Sequence, residues 1–192
     1  DEYDPEMDRL LFYLPLAGSA FKKVYFDDML DRAVSKFVPA DDLLVPYNAT
    51  DLSSASRVTH VIRMNTNDVR KNQAAGFYRD IDILAYTDDD EVRQKERELQ
   101  GIEQGGGDNQ DCTLLEIHTD LDLPGFEHVS PIDGEETGIK LPYIVTVDEG
   151  SSKVLAIRRN WKEGDEYYKK MQYFSHYKFL PGLGFYGFGL LH

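Results

Sequence analysis

Ile139-Lys140-Leu141-Pro142-Tyr143-Ile144-Val145-Thr146-Val147-Asp148-Glu149-Gly150-Ser151-Ser152-Lys153-Val154-Leu155-Ala156-Ile157-Arg158-Arg159 is the stretch that decides the fold. Apolar side chains at Ile139, Leu141, Tyr143, Val145 and Val147 recur every second residue, the period of a strand with one buried face. Asp148-Glu149-Gly150-Ser151 breaks the pattern with turn formers, and Lys153–Arg159 resumes it, so the stretch reads as an antiparallel hairpin. Working outward, strands are expected at 113–123 and at 57–64, where Val58, His60 and Ile62 share a face. Nearer the start, strands are expected at 10–14, 21–26, 33–38 and 43–45, punctuated by Pro15–Ser19, Asp27-Asp28 and Pro39–Asp42. Beyond the hairpin, the aromatic-rich stretch 167–178 reads as a last strand.

Two helices interrupt this series. Thr66 or Asn67 can cap a short one, Asp68 suits its first turn and Gly76 stops it. Thr87–Gln104 is the second, with Asp88, Asp89, Asp90 and Glu91 at the positive end of its dipole and a thin apolar stripe of Val92, Leu99 and Ile102. Gly105-Gly106-Gly107 opens a flexible loop over 105–111. The expected fold class is α+β: a mainly antiparallel β body with one or two helices.

The 192 residues suffice for one ordinary core, and 41% apolar with 29% charged residues is the balance of a globular protein. A net charge of -14 repels phosphate backbones and argues against tight, non-specific DNA binding. The basic pairs Lys22-Lys23, Arg158-Arg159 and Lys169-Lys170 read as the wet sides of strands. Cys112 is the only cysteine, so no internal disulfide forms. The first residues have neither the basic nor the apolar region of a signal peptide, and no uncharged run spans a bilayer. The chain starts without Met, and 179–191 carries no charged residue, which reads as the cut edge of a longer protein.

Few residues suggest chemistry. Glu116, His118, Asp120 and Asp122 alternate on one strand and could offer oxygen and imidazole ligands to a metal; the plainer reading is a solvated polar face. Asp80 and Asp82 lie in an alternating stretch that reads as a wet edge. Cys112 is expected to be small, buried and inert, being too far along its strand from His118 to be activated. His60, His128 and His176 read as packed or surface histidines, and Trp161, beside Arg158, Arg159 and Lys162, as a half-buried aromatic next to a turn. No nucleophile elbow, phosphate loop or His-Glu-x-x-His motif is present. No catalytic residue, metal or cofactor is therefore expected, and the glycine-bearing apolar run 179–191 favours assembly over chemistry. The rivals are a metal-dependent enzyme using the Glu116/His118/Asp120 face and a generic β-rich ligand-binding domain.

Several stretches also carry a resemblance: Leu14–Tyr25, Phe37–Leu43, Arg57–His60, Gly76–Asp80, Leu115–His118, Leu123–Glu127 and Phe179–Gly189. In this order they resemble portal proteins of short-tailed bacteriophages, over nearly the whole chain. The resemblance implies a wing-type α+β domain over 1–178 and the truncated start of the stem-helix region at 179–192. It implies a homo-oligomeric ring, a dodecamer, at the capsid vertex of the virion, assembled in the host cytoplasm. Its partners would be other subunits, the terminase motor, scaffolding, capsid and tail adaptor proteins. DNA would pass through without specific binding, and no membrane is involved. Independently, Gly182, Gly184, Gly187 and Gly189 permit close backbone approach beside large apolar side chains. Phe179, Leu183, Phe185, Tyr186 and Phe188 are thus expected to pack either on a neighbouring subunit or stem, or on the domain's own core.

Overall fold

The computed structural model describes residues 3–27, 30–83 and 111–190. The fold is α+β with a mainly antiparallel β body. In chain order come α1 (Tyr3–Ala17), β1 (Ser19–Asp27), β2 (Arg32–Pro39), a 3-10 turn at Ala40–Asp42 and β3 (Leu43–Leu44). Then follow β4 (Arg57–Asn65), α2 (Thr66–Ala74), β5 (Asp111–Leu121), β6 (Leu141–Asp148), β7 (Lys153–Arg159) and β8 (Phe174–Lys178). Three strands form one sheet in the order β2-β1-β8, and five form another in the order β3-β4-β5-β6-β7.

The chain divides into two compact units. The first comprises 1–60, 118–143 and 159–192; the second comprises 61–117 and 144–158. Residues 179–190 belong to the first unit and contain no helix. The expected charged helix at 87–104 and the loop at 105–110 lie outside the described residues.

The strand expected at 10–14 is helical. Its apolar run fits a period of 3.6 as well as a strand, and Asp4 and Glu6 in the first turn complement the helix dipole. The helix ends on Gly18, whose φ of 76° lets its N–H donate to the Leu14 carbonyl at 2.9 Å, an αL cap.

In the first unit, β1 pairs with β2 in the register Phe21↔Val38 and Lys22↔Phe37, and with β8 in the register Phe21↔His176. Successive residues therefore serve opposite faces. One face carries Phe21 and Val38 into a core with Leu43, Ala49, Leu52, Ala55, Val58, Phe174 and Phe185. The other lies under α1: the Tyr13 and Phe37 rings sit 5.3 Å apart, and the Lys22 ammonium lies 3.8 Å from the Tyr3 ring centre. Lys22 is thus buried, against the expectation of a wet strand side; its stem and an aromatic ring take the place of water.

β8 starts at Phe174, not at 167. Asp165 explains the shortening: its carboxylate accepts the N–H groups of Tyr167 and Lys169, curling the chain into a loop closed by Met171 N–H on the Asn160 carbonyl. The aromatics there pack on one another, Trp161 against Tyr143 and Tyr168, and Tyr168 against His128. Trp161 is half-buried, with the Arg159 guanidinium 5.8 Å from its ring centre.

The second unit has its own core of Val69, Cys112, Leu114 and Leu155, flanked by Ile62, Met64, Tyr78, Ile81 and Ile83. The cap of α2 is Asn65, one residue before the expected Thr66: its side chain accepts the Asn67 N–H at 2.8 Å. Gly76, at φ 79°, ends that turn as expected. The hairpin turn is held by Asp148, whose carboxylate accepts both the N–H and hydroxyl of Ser151. Residues 79–83 form no strand: Arg79 N–H donates to the Leu155 carbonyl, and the Gln73 amide donates to the carbonyls of Arg79 and Ile81.

A Cβ at Gly18 would lie 2.4 Å from the Gly187 carbonyl oxygen, whereas one at Gly125 (φ 82°) meets nothing within 4 Å. Gly18→Ala should destabilise the chain by about 2–4 kcal/mol and Gly125→Ala by about 1 kcal/mol, measured by urea unfolding. Leu155→Ala, which opens the second core, should cost about 2–5 kcal/mol in the same assay.

Candidate functional site

The residues that carry surface apolarity and close packing meet where 179–190 turns back on α1. Phe179 N–H donates to the Gly18 carbonyl at 3.0 Å, and Leu190 N–H donates to the Pro15 carbonyl at 2.8 Å. Between them Leu180 and Phe188 exchange two backbone hydrogen bonds, so the segment doubles back as a narrow antiparallel return. It lies close to the helix end because Gly189 has no side chain: a Cβ there would sit 2.3 Å from the Leu16 carbonyl oxygen.

Phe185 reaches deepest. It is 5% exposed, and its ring is near-parallel to Phe21 (5.9 Å, 17°) and to His176 (4.8 Å, 26°), with Phe21 and His176 themselves 4.4 Å apart. Tyr186 stands edge-on to Phe185, and its hydroxyl donates to the Leu43 carbonyl at 2.8 Å. Burial and the nearby Asp41 charge push the Tyr186 hydroxyl pKa up. Gly187 N–H donates to the buried Ser19 hydroxyl oxygen at 2.8 Å, and that oxygen lies 3.1 Å from His176 Nε2. Burial, aided by the Lys178 charge, holds His176 down at about 4, so its imidazole is neutral near pH 7.

Of the five residues expected to pack on a neighbour or on the chain's own core, Phe185 takes the core and Tyr186 follows it part-way. Phe179 and Phe188 are about two-fifths exposed at 37% and 40%, and Leu183, at the tip, is fully exposed. Beside the return, α1 turns Leu11, Phe12 and Leu16 to solvent, with Leu190 alongside. The sequence pattern does not single out these helix residues, because it puts Leu11 and Phe12 in a strand at 10–14 and Leu16 in the turn at Pro15–Ser19.

The other candidates do not assemble. His118 is buried and edge-on to Tyr173 and Phe174, so the expected solvated face of β5 is partly core, while Asp120 and Asp122 are exposed. Among the described residues no group of three or more His, Cys, Asp or Glu side chains could hold a metal. Cys112 is buried, 3.5 Å from the Thr66 hydroxyl. His60 packs edge-on to Phe174, and His128 lies 2.7 Å from the Thr137 hydroxyl. Asp80 and Asp82 are exposed. Among the described residues no helix is long and apolar enough to cross a membrane.

The sequence matches no family model and has no significant match to a curated protein.

The depth of Phe185 and the exposure of Leu183 predict opposite responses. Phe185→Ala should cost about 3–5 kcal/mol of unfolding free energy, and Leu183→Ala less than about 0.5 kcal/mol, by chemical denaturation.

Proposed function

We propose that this chain is a structural segment of a bacteriophage portal ring, acting by self-assembly rather than catalysis. The observation that carries the proposal is the exposure of large apolar side chains, Leu11, Phe12 and Leu16 on α1 and Leu183 and Leu190 on the return. Large apolar side chains left in water favour an interaction role, and here they sit on a chain whose net charge is -14. Supporting it, the two glycine-bearing stretches at the ends of the portal resemblance, Leu14–Tyr25 and Phe179–Gly189, bond to each other.

In this reading the chain is wing material of a homo-oligomeric ring, a dodecamer, at one capsid vertex of the virion. A head-to-tail contact between copies closes such a ring. The ring would anchor the terminase motor during DNA packaging and the tail adaptor afterwards, with scaffolding and capsid proteins around it. The acidic surface suits a passage through which DNA slides without sticking.

Electron microscopy of the protein containing this chain tests the reading: rings with a central hole are expected, and a uniformly monomeric particle would overturn it. A Phe12→Asp/Leu183→Asp double variant should keep the circular dichroism of the parent and lose most of the ring population.

A further inference from the structure

We infer that residues Phe179–Leu190 form a strap that opens locally when the His176 imidazole takes up a proton. This goes beyond the assembly reading and stands without it. Phe185 is the strap's buried anchor, and its ring rests on His176 and Phe21. The second tie, Gly187 N–H to the Ser19 oxygen, ends on the same hydroxyl that neighbours His176 Nε2. These two ties therefore converge on one imidazole, while Phe179, Tyr186 and Leu190 make further strap ties, to Gly18, Leu43 and Pro15.

The hydroxyl arithmetic favours the neutral ring. Ser19 is 1% exposed and has one proton to give. With Gly187 N–H on one lone pair, that proton satisfies a neutral imidazole protonated at Nδ1. A charged ring donates from Nε2 as well, so the Ser19 oxygen would receive two donors and its own proton would need a new acceptor in a buried place. The charged groups around the ring do not compensate. Lys178 on β8 is a cation on the same strand, and Lys23 on β1 lies with its ammonium 5.8 Å from the Phe174 ring centre. Tyr186 on the strap spends its hydroxyl on Leu43, and the Asp41 charge acts on Tyr186.

The sign follows. The folded imidazole titrates at about 4 and a free one at 6.5. Strap closure is thus at full strength above pH 6.5 and is lost as pH falls through 4, because the open form binds the extra proton. Opening needs only the strap's own ties to break, because the β1–β8 pairing runs from Ser19↔Lys178 to Lys23↔Phe174 and includes no strap residue.

The test is amide hydrogen exchange by NMR on the 192-residue chain. It follows Gly187 and Phe188 against Val145 and Leu155 of the hairpin between about pH 7 and pH 4.5, corrected for intrinsic rates. Strap protection should fall at least about tenfold while hairpin protection holds. His176→Phe keeps an aromatic ring and cannot titrate, so its strap should remain protected across the range. His176→Gln, a smaller neutral side chain, gives the same readout if the Phe variant does not fold. Unchanged strap protection in the parent, equal loss in the hairpin, or the same pH response in the neutral variants would overturn the inference.

Discussion

The carbonyl groups at the end of α1 need donors, and the return supplies them. A helix leaves its last four carbonyls unpaired, and Pro15 brings no N–H of its own to the final turn. Gly18 N–H covers Leu14, and Leu190 N–H covers Pro15, a residue that lies far away in sequence. This single requirement couples the two ends of the first unit. It fixes why Gly18 must adopt a left-handed conformation and why Gly189 must lack a side chain. It also places Phe185 over Phe21, so that part of the core is delivered by the same segment that caps the helix.

The helix returns the service at its other end. Lys22↔Phe37 is a pair whose backbone groups point away from each other, so Phe37 N–H faces the free edge of β2. The Glu6 carboxylate accepts that N–H and also lies 3.4 Å from Arg9. An unpaired edge donor is thereby covered by the helix that lies on the sheet, which blunts the edge against pairing with other strands.

How much of this could be read from residues alone depended on the range of the interaction. The hairpin 141–159, β1, β2, β4, β5 and α2 follow from local alternation, turn formers and a cap, and all appear within a few residues of where the pattern puts them. Failures arose where a distant partner decided. The run 10–14 satisfies two periodicities, and packing on Phe37 together with the cap at Gly18 selects the helix. β8 is short because one carboxylate, Asp165, captures backbone donors that a strand would have used. The polar pattern of Glu116, His118 and Asp120 looked solvated because alternation says nothing of aromatic rings arriving from Tyr173 and Phe174. The glycine spacing of 182–189 signalled close approach, but not that the approaching backbone would be residues 15–19.

Lys22 gives the sheet a means of rejecting misalignment. Its neighbour Phe21 occupies the apolar cluster, and Lys22 itself rests under Tyr3 on the opposite side. Sliding β1 by a single position would exchange the two, thrusting an ammonium among Val38, Leu43 and Phe174 and leaving a phenyl group beneath the helix. The ammonium is buried in the native register too, but there it lies 3.8 Å from the Tyr3 ring centre, a cation–π contact that the shifted register would lose. The buried lysine therefore favours one strand alignment through the single aromatic ring that receives its charge.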